Sequence, residues 1–208
     1  MSALRRWKLS CVPAAPATLV TLELLLQQPV VELKAVSELV LSDLGATLQI
    51  LRCRRECDQD DQTWLGIPAR VVALGRDAIL KVIPSFSDFG PDFPAAAAFK
   101  LWEHSRRVAE AAQTIASSFP EVDAEKARIA GLLHEMGSLP QLLGARELPY
   151  GMREEAVPEH LIKEWSLPSW ITGALVPHAG CTATTARLTR IVALAHELVR
   201  LEHHHHSA

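Results

Sequence analysis

The sequence predicts an all-α protein, and three observations carry that expectation. Alanine and leucine dominate an apolar fraction of 49%, whereas aromatic residues contribute only 5%; both are strong helix formers. Apolar residues recur at helical spacing in segment after segment, and no stretch alternates with period two for long enough to demand a strand. Proline, glycine, serine and aspartate stand where helices would start and stop. A chain of 208 residues is long enough for one sizeable core. Its formal net charge of −3 argues against a dedicated nucleic-acid binder, which would show a basic stripe.

The elements follow in order. Pro16 to Gln28 reads as a first helix with Leu19, Leu22, Leu25 and Leu26 inward and Pro29 as its stop. Glu32 to Leu41 is a second. Ser42 and Asp43 can cap a third that runs to about Arg55. Residues 67–82 form two short helical pieces broken at Gly75. The segment PSFSDFGPDFP is rich in proline and reads as a linker. Phe93 to Ser118 is one long helix with Leu101, His104, Val108, Ala111, Ala112 and Ile115 on its inner face. Asp123 caps a helix from Ala124 to Met136, with Gly137 as its stop. Its small residues Ala127, Ala130 and Gly131 let another helix approach closely beside His134. Residues 140–152 are a loop. Glu154 to Trp165 is helical with Pro158 near its start, and Pro168 opens a short helix to Val176. Thr184 to Leu201 is the last helix, with Leu188, Ile191, Val192, Ala195 and Val199 inward and His196 at the edge of that stripe. About ten helices result.

The ends and the cysteines exclude several classes. Arg5, Arg6 and Lys8 are followed by Ser10, Pro13 and Pro16 rather than by the apolar run of a signal peptide. No apolar stretch approaches the ~20 residues of a membrane span. Cys11, Cys53, Cys57 and Cys181 do not form a zinc knuckle and read as free thiols of a reducing cytoplasm. The tail His203–His206 is either a cloning remnant or native sequence, and it is set aside.

The remaining histidines are His104, His134, His160, His178 and His196, all after residue 100. His104, His134 and His196 lie on or beside the inner faces of three helices, and Glu135 follows His134. A buried imidazole needs a partner. Either each ring bonds to a carbonyl or side chain, or several share a divalent ion, which His and carboxylate ligands together can hold. His160 reads as a helix-surface or half-buried residue. Trp165 and Trp170 offer either core packing or a ligand or partner surface.

The segment ARIAGLLHEMGSLP resembles the central motif of the HD superfamily of phosphohydrolases. LWEHSRRVA resembles the first-histidine helix of that superfamily. EWSLPSWITGALVPH, LSDLGATLQILR and IPARVVALGRDAILKVI follow the pattern of its HD-related output domain branch, HDOD. The resemblance spans roughly residues 16–202. It implies an HD-like helical bundle with a smaller N-terminal lobe, forming a single domain over 10–202. The lobe would occupy 10–83, the linker 84–94 and the bundle 95–202, with 203–208 as a His-rich tail.

It also implies a site. The enzymes of the superfamily hold metal on a first histidine, a histidine–aspartate doublet and a late aspartate. Here these fall on His104, on His134 with Glu135, and on His196, so both aspartates are replaced. Glu154 and His178 are further candidates. The altered ligands imply a non-catalytic signalling module that acts on a protein partner or a small-molecule ligand in trans. The alternative is a metal-dependent phosphohydrolase of nucleotides or cyclic dinucleotides. With both acidic ligands altered no cofactor is expected, and a divalent metal is the one such residues could take; no nucleic acid or membrane partner is expected.

Overall fold

A computed structural model describes residues 12–53, 64, 66–83, 94–142, 153–176 and 182–205, and within them the secondary structure is entirely helical. Four helices come first: α1 (Pro16–Gln27), α2 (Leu33–Val40), α3 (Leu44–Arg52) and α4 (Gly66–Val82). Six follow: α5 (Ala95–Ala116), α6 (Ala124–Leu133), the single turn α7 (Leu139–Leu142), α8 (Val157–Glu164), α9 (Trp170–Leu175) and α10 (Ala183–His205). The polar stretch after Cys53, most of the proline-rich segment 84–93, Cys11, Cys57 and Cys181 lie outside the described residues.

Asp43 organises the N-terminal helices. One carboxylate oxygen caps α3 by accepting from the Ala46 amide at 2.8 Å. The other accepts from the Ala15 amide at 2.8 Å and from the Thr18 hydroxyl at 2.9 Å, tying α1 to α3. Burial pushes the Asp43 carboxyl above its usual pKa, although all these donors act in the opposite direction. Beside it, Gly45 lies against backbone: a Cβ there would sit 2.2 Å from the Pro13 carbonyl oxygen. That same oxygen accepts from the Trp102 indole at 3.2 Å, which anchors α5 to the start of the chain. Helix α4 bends at Gly75, whose φ of 72° and ψ of 169° only glycine adopts readily. The break expected there is present.

One continuous apolar core joins the two halves. It runs from Leu22 and Leu26 through Leu48, Ile67 and Ile79 to Ile129, Leu132, Leu133 and Leu161. A second cluster fills the space between α5, α6 and α10 with Val108, Ala112, Ala116, Ala127, Ala130, Leu188 and Val192. The small side chains bring α5 and α6 very close. A Cβ on Gly131 would meet the Ala109 Cα at 2.9 Å and the Val108 carbonyl oxygen at 3.0 Å. An ion pair between Arg128 and Glu38, 2.7 Å apart, also bridges the halves.

Three sequence expectations need correction. The face of α5 that is buried consists of Ala98, Trp102, Ser105, Val108, Ala109, Ala112 and Ala116. Leu101, His104, Ala111 and Ile115 lie at its half-buried margin. Alanines permit the closest approach, so the small-residue face wins over the larger apolar side chains. Helix α6 stops at Leu133, with His134 as its C-cap, and a 3-10 turn over Met136–Ser138 follows. Gly137 is therefore not the stop, and it has no positive φ. Trp165 is buried in the core and does not form a surface. It is the C-cap of α8. Ser166 beyond it takes a left-handed φ of 53°, and the Leu167 amide reaches back to the Ile162 carbonyl at 2.9 Å.

Candidate metal centre

Three helices deliver one histidine each to a common point. His104 comes from α5, His134 from the end of α6 and His196 from α10. Their ring centroids are 5.1, 5.2 and 5.2 Å apart, a nearly equilateral triangle. With Glu135 included, one ligand atom from each residue lies within 4.8 Å of every other.

The cause of this convergence is local. Close packing at Gly131 sets the spacing of α5 and α6. The Gly131 carbonyl then faces the His134 ring, 2.7 Å from Nδ1. A carbonyl only accepts, so Nδ1 carries the proton and Nε2 is left with its lone pair. His134 Nε2 is buried and has no hydrogen-bond partner. Burial lowers the His134 pKa to about 4, and the neighbouring His104 and His196 act in the same direction, against the Gly131 bond and Glu135. The ring is therefore neutral near pH 7, the form that ligates metals.

Glu135 completes the group. Its Oε1 is 3.6 Å from His134 Nε2, and its Oε2 accepts from the Ser138 hydroxyl at 3.0 Å. Because the helix ends before it, Glu135 has non-helical φ and ψ of −93° and 18°. That turn brings the longer carboxylate back to the histidines. The residues fit a divalent ion: three imidazoles and one carboxylate, with an unpartnered buried nitrogen among them. Bringing the donors to the ~2.0–2.2 Å bonds of a zinc-like ion takes side-chain shifts on the order of an ångström.

The other candidates fare differently. The Glu154 side chain and His178 lie outside the described residues. His160 is half-buried on α8 and is not part of the cluster. Trp170 is half-buried, packs edge-on against Trp64 at 5.2 Å, and has the Lys126 ammonium 5.5 Å from its ring centre. The sequence reading missed the Gly131 carbonyl and Ser138 as supports. The i+3 spacing of Ser138 from Glu135 was the one available signal.

The helical architecture and the inward histidine cluster define an all-α protein with an HD-like fold. Residues 68–160 match the family model described as the HDOD domain. The matched segment holds His104, His134 and Glu135, whereas His196 lies beyond it. A solved structure of the MmoQ response regulator from Methylococcus capsulatus str. Bath is similar over 91% of this chain and 86% of that one, with a TM-score of 0.69 and 22% identity. A second structure of that protein, a fragment of residues 20–298, is similar over 91% and 84%, with a TM-score of 0.67 and 20% identity. No curated protein matches. Among the described residues, no helix is long and apolar enough to cross a membrane.

Proposed function

We propose that this chain is a signal-transduction module of the HDOD type whose bundle holds a divalent metal on His104, His134, Glu135 and His196 without hydrolytic turnover. The observation that carries the metal is the buried His134 Nε2, unpartnered and aimed at the donors of two other helices. Three imidazoles and a single carboxylate suit zinc or another first-row transition ion better than magnesium, which prefers oxygen ligands. Bound there, the ion would cross-link α5, α6 and α10 and polarise any ligand in an open position. His134 would be oriented by Gly131, and Glu135 by Ser138. The signalling reading is supported by the HDOD match and by the likeness to MmoQ, which is a response regulator. The replacement of the two superfamily aspartates by Glu135 and His196 supports the absence of turnover, because it removes one negative charge that would hold the ion and shifts the other carboxylate by a methylene.

The test uses protein in which the His203–His206 tract is replaced by serines, so that only the bundle can bind. Elemental analysis and cobalt absorption should give one equivalent of metal, lost in His134→Ala, with no hydrolysis of phosphomonoesters or phosphodiesters. Turnover that His134→Ala abolishes would establish the hydrolase instead. A folded protein that takes up no metal would refute the centre.

A further inference from the structure

Helix α10 carries a second apolar seam besides the one it buries. Its inward stripe is Leu188, Ile191, Val192, Ala195 and Val199. From Ile191, which is 7% exposed at the edge of that stripe, Leu194, Leu198 and Leu201 follow at intervals of three and four residues along an adjacent face. Leu194 is 51% exposed, Leu198 43% and Leu201 49%. Scattered surface leucines are ordinary, but these are aligned, and their spacing is that of the a and d positions of a coiled coil. At the N-terminal end of the seam lies an open apolar pocket of about 410 Å³. Ile115, Phe119 and Val122 line it together with Arg187, Ile191 and Leu194. Phe119 is itself 46% exposed.

We propose that this face is a self-association surface, on which α10 pairs antiparallel with α10 of a second copy. The seam and the pocket are on one molecule, so an antiparallel pair uses both twice and closes with two-fold symmetry. The charges select the register. With Ile191 set against Leu194 of the second copy, Leu198 of each copy falls beside Arg187 of the other, over the pocket. In that register Arg190 flanks Glu197 of the second copy. Arg190 makes no ion pair among the described residues, while Glu197 has only the exposed contact to Arg200 at 2.8 Å. Sliding the helices by one heptad would match more leucines but would place Glu197 against Glu197, which is unfavourable. This surface is separate from the histidine cluster and does not depend on it.

Sedimentation equilibrium of the full chain, with chelator present so that the terminal histidines cannot bridge copies, should show a reversible dimer. Leu194→Glu should give a monomer with unchanged helical circular dichroism and, at dilutions where the wild type is also monomeric, an unchanged unfolding midpoint. Arg190→Glu and Glu197→Arg should each weaken the dimer roughly tenfold, since each acts at two symmetric places. The Arg190→Glu/Glu197→Arg double variant should regain the wild-type affinity. A wild-type chain that stays monomeric at its solubility limit would overturn the proposal. So would a double variant as weak as the singles, because only the antiparallel register pairs these two positions.

Discussion

Gly131→Ala couples the packing of the bundle to the geometry of its histidines. The added methyl would lie 2.9 Å from the Ala109 Cα, 3.0 Å from the Val108 carbonyl oxygen and 3.1 Å from the Ala109 amide nitrogen. Ordinary carbon contacts are about 3.5–4.0 Å. All three atoms are backbone, so no side chain can rotate away, and α5 and α6 must separate by roughly half an ångström or more. Such overpacking costs about 1–3 kcal/mol. Replacing a helical glycine by alanine returns about 1 kcal/mol of propensity. The net expectation is a loss of about 1–2 kcal/mol, read as a lower urea midpoint at unchanged slope. The same separation shifts His104 relative to His134 and moves the carbonyl that orients His134. Metal affinity, measured by titration with zinc or cobalt, should fall roughly tenfold. A variant that is as stable as wild type, or more stable through its gain in propensity, would refute the close-packing argument. A destabilised variant with unchanged metal affinity would show that the histidines are not positioned by this contact.

Asp43→Ala removes an N-cap and two further acceptor contacts, leaving the Ala15 amide and Thr18 hydroxyl without their partner. Relief of the buried charge offsets part of this, and a loss of about 2–3 kcal/mol in urea denaturation is expected. Glu125 accepts from the Ile67 amide at 2.6 Å, and burial raises its carboxyl above 4.5. Its protonated form therefore favours the folded state below the unfolded pKa, and that contribution is lost as pH rises through the raised folded value. Glu125→Gln keeps an acceptor and cannot ionise, so its stability relative to wild type should increase between pH 4 and pH 7; midpoints that move in parallel would refute this.

How much was legible in the sequence depended on what each helix packs with. The inward stripe of α10 (Leu188, Ile191, Val192, Ala195 and Val199) is buried as its periodicity indicated. It is made of large apolar side chains against small ones, and hydropathy reports that arrangement directly. On α5 the same reasoning found Val108 and Ala112 but otherwise pointed one position away from the true face, because Ala98, Ala109 and Ala116 carry little hydropathy but allow the closest contact. The break at Gly75 and the cap at Asp43 were legible because each rests on local backbone chemistry. The end of α6 was not. Gly137 looked like a terminator, but the helix stops earlier, and the Ser138–Glu135 bond in the turn that follows is a tertiary detail with a weak local signature. The histidines were legible as inward residues. Their convergence with Glu135 was legible only through the family resemblance, since periodicity does not say how three helices cross.

The joined core has a consequence for the order in which the protein is made. Leu22, Leu26, Leu48 and Ile50 leave the ribosome well before Ile129, Leu132 and Leu133, against which their cluster closes. Trp102 reaches Pro13 across 89 positions, and Arg128 reaches Glu38 across 90. Helices α1 to α4 must therefore wait, partly uncovered, until α6 has been synthesised. During that interval they present sticky apolar surface to the cell, so substitutions that slow elongation or the docking of α6 should lower the yield of soluble protein more than they lower its final stability.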